Sequence, residues 1–190
     1  MSRKYELKRR AERQSETRRR IVDATVRLHT TVGPARTTIS AIADQAGVQR
    51  HTVYAHFPDE RALFHACSTH WRELHPLPGS DSWRGIVDPT RRLRAALLNV
   101  YAWYELVEDD LAIFSRDAGV HELTGELVGR RERAIGSLRA DLADGWPRRG
   151  AVQAAIGHAL EFETWRSLTR RHGLTRKQAV DAMLGFVASV

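Results

Sequence analysis

The chain is 190 residues long and 42% hydrophobic, room for one large packed domain or a small one followed by a larger, and no apolar run approaches the roughly 18 residues of a bilayer span. A single cysteine, Cys67, excludes an internal disulfide, and a basic rather than apolar amino terminus argues against a secretory signal, so a reducing cytoplasm is the expected compartment. The net charge of +7 is uneven: residues 1–20 hold nine Lys/Arg against three Glu, residues 21–75 five against five, and residues 76–190 sixteen against fifteen.

Almost every segment reads as helix. From Ser15 to Val32, Ile21, Ala24, Thr25 and Leu28 recur at steps of three and four, Gly33-Pro34 ends the run, and no breaker stops it extending back toward Arg3. Thr37 or Thr38 can cap a second helix whose inward face is Ile39, Ile42, Ala43 and Ala46. Gly47 stops it with a turn of positive φ, and a third helix runs from Gln49 or Arg50 to His56, anchored by Val53 with Phe57 following. Residues 38–57 thus form two short helices joined by a glycine turn, an arrangement that presents the second helix to a DNA groove. Asp59 caps a fourth helix carrying Leu63, Phe64, Cys67 and Trp71, which fades at the linker Pro76-Leu77-Pro78-Gly79-Ser80.

Beyond the linker, Asp88-Pro89 opens a long helix with Leu93, Ala96, Leu97, Val100, Tyr104 and Val107 on one stripe, followed by a short segment around Leu111–Ser115. Leu123, Leu127, Ala134, Ile135, Leu138 and Leu142 describe another helix, stopped by Gly145-Trp146-Pro147. Ala151, Ala154, Ala155, His158, Ala159, Phe162 and Trp165 lie on a broad face of a single helix ending before Gly173. Thr175 and Gln178 then have capping-box spacing and start a final helix with Ala179, Ala182, Met183, Phe186 and Val187 inward. The expected fold is all-α with about nine helices: a basic arm over 1–14, a helix-turn-helix domain over 15–75, and a larger domain over 76–190.

Thr17, Arg20 and Ile21, then Thr37-Thr38, Ile42-Ala43, Ala46-Gly47-Val48, the run Val53-Tyr54-Ala55-His56-Phe57-Pro58 and Leu63-Phe64 together resemble the TetR family of transcriptional regulators. The similarity covers about the first 70 residues, and Thr164-Trp165-Arg166-Ser167-Leu168-Thr169 with Gly173-Leu174 resembles the family's last domain. The resemblance implies a homodimer joined through its last two helices, double-stranded operator DNA as partner, and a small effector, unidentified, whose binding in the larger domain releases the DNA.

A recognition helix places its first turn in the major groove, so Gln49, Arg50, His51 and Thr52 are the candidates for base edges, and the planar fork of Arg50 suits guanine O6 and N7. Tyr54 and His56 stand where the family contacts phosphates, and Thr38 could join the second helix's first N–H groups on another. Two departures from the family pattern stand out. Gln49 replaces the usual serine cap, and Glu60-Arg61 replaces a common Lys-Glu pair, so Arg61 is the expected substitute for the missing phosphate contact.

His65, Cys67 and His70 invite a metal reading, but His65 lies off the face the other two share, and His121-Glu122 lacks a second histidine at Gly125, so no metal or other cofactor is expected. No nucleophile motif, phosphate loop or dinucleotide fingerprint points to an enzyme. Trp103, Tyr104, Phe114, His158 and Phe162 are the candidate lining of an effector pocket. Two other readings stay open at this stage: a small-molecule-binding protein or enzyme with a vestigial head, and an activator rather than a repressor.

Overall fold

A computed structural model describes the backbone of residues 3–147 and 150–190 and the side chains from Tyr5 onward. Among these residues there are nine α-helices and no strand: α1 (Arg3–Thr31), α2 (Ile39–Ala46), α3 (Arg50–His56), α4 (Glu60–Leu74), α5 (Pro89–Asp117), α6 (Glu122–Ala143), α7 (Gly150–Ala159), α8 (Phe162–Arg166) and α9 (Arg176–Ser189). The basic arm is not a separate element, because its described residues are the first turns of α1. Met1 and Ser2 of that arm lie outside the described residues. None of the described helices is long and apolar enough to cross a membrane.

The chain forms two compact units. The first holds the residues through Pro76 together with Asp109–Val128, and the second holds Leu77–Glu108 and Gly129–Val190. Residues 109–128, assigned to the larger domain on sequence, therefore cluster with the helix-turn-helix. The first unit's core is the set that periodicity points to: Ile21 and Ala24 of α1, Ile42 and Ala43 of α2, Val53 and Phe57 around α3, Leu63 and Cys67 of α4. Side-chain caps start α2 at Thr38, α4 at Asp59 and α9 at Thr175, the last as a full capping box with Gln178.

In three places the structure departs from the sequence reading. Leu111–Ser115 is no separate segment: α5 continues through it, bending at Val107 (φ −118°, ψ 18°), with no glycine or proline to end it. The single helix expected from Ala151 to Trp165 is broken after Ala159. At the break, in the second unit's core, the buried Tyr101 and Tyr104 hydroxyls donate to the carbonyls of Ala159 and Leu160 at 2.8 and 2.6 Å and satisfy acceptors that the interrupted helix leaves open. Finally, Ala134, Ala151, Ala154, His158, Ala182 and Phe186 face solvent rather than the subunit core. The apolar stripes of α7 and α9 are wider than one partner covers: the two helices pack on each other and leave Ala151, Ala154, His158, Ala182 and Phe186 outward, while Ala134 lies on the exposed side of α6.

Candidate nucleic-acid interface

Three local devices shape the exposed face of α3. The Thr38 hydroxyl accepts the Ala41 N–H at 3.1 Å and starts α2. Gly47, at φ 64° and ψ 43°, turns the chain, while Val48 N–H bonds back to the Ala43 carbonyl at 2.9 Å, closing the end of α2 as a left-handed glycine allows. Val53 and Phe57, each 1% exposed, then pin α3 to the core. Sequence reasoning missed a fourth device: Arg18 of α1 donates to the His56 carbonyl at 2.7 Å and lies 4.0 Å over the Phe57 ring, so a cation holds the carboxyl end of α3. In the sequence it is the first of three consecutive arginines, indistinguishable from its neighbours Arg19 and Arg20.

With Val53 inward, Gln49, Arg50, His51 and Tyr54 project to solvent, Thr52 and His56 are half-buried, and Thr38 is exposed at the head of α2. These seven are brought to the surface of one unit. Gln49 makes no side-chain cap, as its replacement of serine predicts. Arg61 is different. Its guanidinium donates to both carboxylate oxygens of Glu126 at 3.1 and 3.2 Å and to Glu122 at 3.1 Å, while neighbouring Glu60 meets the His121 ring at 3.3 Å. Two carboxylates one helical turn apart converge on it, so a phosphate would have to compete with Glu122 and Glu126 for Arg61.

The turn leading into α2 is held by a clasp that no motif announces. Asp117, 2% exposed at the end of α5, accepts the Ala35 N–H at 3.0 Å and the Arg116 Nε at 2.7 Å, and Arg116 also donates to the Val32 carbonyl at 2.9 Å. Gly33 sits under it at φ 103°, where a Cβ would collide with the Arg116 guanidinium and the Asp117 carboxylate. Burial alone would raise the Asp117 pKa, but Arg116, the Ala35 N–H and Arg36 outweigh it and hold the carboxyl below its ordinary value. Nearby, burial and then the His121 charge lower His29 to about 4, so it is neutral at pH 7. Its Nδ1 lies 3.5 Å from Cys67 Sγ, a thiol that burial pushes up to about 12.

The expected pocket residues are divided between the two units. Phe114 belongs to the first unit, 5.5 Å from the Trp71 ring, beside an apolar cavity of about 20 Å³ shared with Val26, His29, Phe64 and Cys67. That volume holds about one water. In the second unit Trp103, Tyr104 and Phe162 do cluster, with ring centroids 5.7 and 5.3 Å apart around Tyr104, and Trp165 stacks on Phe162 at 5.6 Å. His158 is exposed instead, bonded to Glu161 and Thr164 at 3.2 Å. His70 pairs with Asp23 at 3.2 Å, and His65 is exposed. Among the described residues no group of three His, Cys, Asp or Glu is placed to hold a metal ion.

Residues 21–67 match the family model of the bacterial regulatory proteins of the tetR family. The HTH-type transcriptional regulator TtgR of Pseudomonas putida is 36% identical over 104 residues, covering 54% of this chain and 49% of TtgR. The chain thus spans about half the length of the curated relatives it matches. A TetR-like transcriptional regulator from Rhodococcus sp. RHA1 superposes with a TM-score of 0.62 at 17% identity, over 90% of this chain and 93% of that one. AibR, solved in complex with isovaleryl coenzyme A and operator DNA, gives a TM-score of 0.61 at 19% identity, over 89% and 96%. At these identities the structural likeness is one of fold.

Proposed function

We propose that this chain, whose residues 21–67 match the TetR family of bacterial regulatory proteins, is a cytoplasmic, homodimeric transcriptional repressor that binds operator DNA and leaves it when a small effector binds. The observation that carries this reading is the outward face of α3, with Arg50, His51 and Tyr54 exposed and Val53, Phe57 and Arg18 holding the helix from behind. In this reading the first turn of α3 enters the major groove. Arg50 takes guanine O6 and N7 through its fork, with Gln49, His51 and Thr52 beside it on neighbouring base edges. Tyr54, His56 and Thr38 fix the head on phosphates and carry no sequence information.

A dimer follows from the symmetry of a pseudo-palindromic operator, whose half-sites lie about 34–36 Å apart. The outward Ala151, Ala154, Ala182 and Phe186 of α7 and α9 supply the small apolar surface that two copies of this helix pair would bury. For the effector, AibR's complex with both an acyl-thioester and operator DNA supports a fold that serves both partners. Trp103, Tyr104 and Phe162 of the second unit are the candidate effector contacts in this chain, acting as a regulator's sensor rather than as a catalyst.

The test is a fluorescence-anisotropy titration against duplexes recovered from a random library by selection on the wild-type protein. Arg50→Ala is expected to lose about 1–3 kcal/mol, roughly 5- to 150-fold, on the selected duplex and to relax one base position. Tyr54→Phe is expected to weaken all duplexes alike. Wild-type protein that selects no sequence, or binds without salt dependence, would overturn the proposal.

A further inference from the structure

α1 begins far ahead of the core it serves. Every described side chain from Tyr5 to Glu16 is exposed, and burial starts only at Ile21. Twelve helical residues span about 18 Å, roughly half a DNA turn. Its apolar side chains, Tyr5, Leu7 and Ala11, are as exposed as its charged ones, so no packing holds the stretch and a surface partner is the natural source of its stability.

Charge on this stretch is sorted by face. Glu6, Arg9, Arg10, Arg13, Gln14 and Thr17 stand at i, i+3, i+4, i+7, i+8 and i+11, one face of a helix, and, with Thr52 and His56 of α3, line an open groove of about 430 Å³. Three guanidinium groups stand there against one carboxylate. The next face round carries the opposite bias: Glu12, Glu16 and Asp23 against Arg19 and Arg20, with Arg19 paired to Asp23 at 3.7 Å. The positive face is thus the one turned toward α3.

We infer that this groove is a phosphate clamp, in which the backbone of one strand of duplex DNA runs between the amino-terminal turns of α1 and α3, outside the bases that α3 reads. The inference rests on the DNA-binding reading above and extends it to a second, sequence-independent contact surface. Arg9, Arg10 and Arg13 neutralise successive phosphates and release their counterions, while His56 offers a ring N–H from the opposite wall, where Thr52 marks the edge of the base-reading surface. Glu6 works against the clamp, which gives the idea a signed prediction.

The experiment measures anisotropy of a labelled duplex of about 30 base pairs over roughly 50–200 mM NaCl, with hydroxyl-radical footprints on the selected operator. Arg9→Ala/Arg10→Ala/Arg13→Ala removes three arginines from each of two subunits and is expected to reduce the slope of log K against log salt by about 5 and to shorten protection at the outer flanks, with the ranking of operator sequences unchanged. Arg19→Ala/Arg20→Ala, on the other face, is expected to leave both nearly as they are, and Glu6→Gln to tighten binding. Glu6→Gln keeps every arginine and carries the test alone should the triple variant melt early. A triple variant with the wild-type slope, equal losses from the two arginine sets, or weaker binding by Glu6→Gln overturns the clamp while leaving the DNA-binding reading in place. Wild-type protein that binds no duplex overturns that reading first.

Discussion

Asp117→Ala removes the acceptor that holds the Val32–Ala35 turn. Two hydrogen bonds to a charged group are lost, each of a kind that contributes about 1.5–3 kcal/mol, and the Ala35 N–H is left without its partner. The Arg116 share is discounted, because that side chain is 44% exposed and rehydrates once released. The net loss is therefore about 2–3 kcal/mol, a fall of roughly 4–12 °C in Tm for a chain of this size. Thermal melts at neutral pH check the size, and an acid series checks the cause. Because the folded pKa lies below the ordinary value, the stabilisation is whole above the unfolded pKa and disappears as pH falls through the folded one. The gap between wild type and variant should hold steady from about pH 8 to pH 5 and close below about pH 4. A Tm change under about 1 °C, or a gap that stays open in acid, refutes the reasoning.

His29 gives the opposite test of burial: with its pKa lowered from 6.5 to about 4, the unfolded chain binds the proton first, and stability drains away as pH falls below 6.5. Wild type should lose about 2 kcal/mol between pH 7 and pH 5, and His29→Gln should lack that component; parallel pH profiles for the two proteins would contradict it. Gln49→Ser supplies the missing acceptor at an extended cap position (φ −84°, ψ 153°) and should gain about 1 kcal/mol, read as a higher Tm. Gly47→Ala should cost about 1 kcal/mol in urea unfolding, since open space surrounds the position and only the left-handed backbone penalises a side chain.

What the sequence made legible was local. Thr38, Asp59, Gly47 and the Thr175–Gln178 box each act within a few residues of themselves, and the α3 surface follows once Val53 and Phe57 are placed inward. What it concealed depends on distant partners. Arg61 reads as an available cation until Glu122 and Glu126, 61 and 65 positions away, are folded against it. The break after Ala159 is associated with tyrosine hydroxyls 58 and 56 positions earlier. Phe114 and Tyr104 share a helix and an inward direction, yet the bend at Val107 lies between them and they join different units. Exposed alanines on α7 and α9 look like core by composition, because Ala carries no mark of which apolar face a neighbour fails to cover.

Cys67 makes the head its own gauge of opening. The thiol is 3% exposed, and ionising it inside is suppressed by burial, so a thiol reagent can reach it only during excursions that lift α4 from α1. Since the chain has no second cysteine, the rate at which a chromogenic disulfide is consumed reports that event without any engineered probe. Adding a duplex or a small molecule and watching the trace slow or quicken would rank such additions by how firmly they keep the head shut.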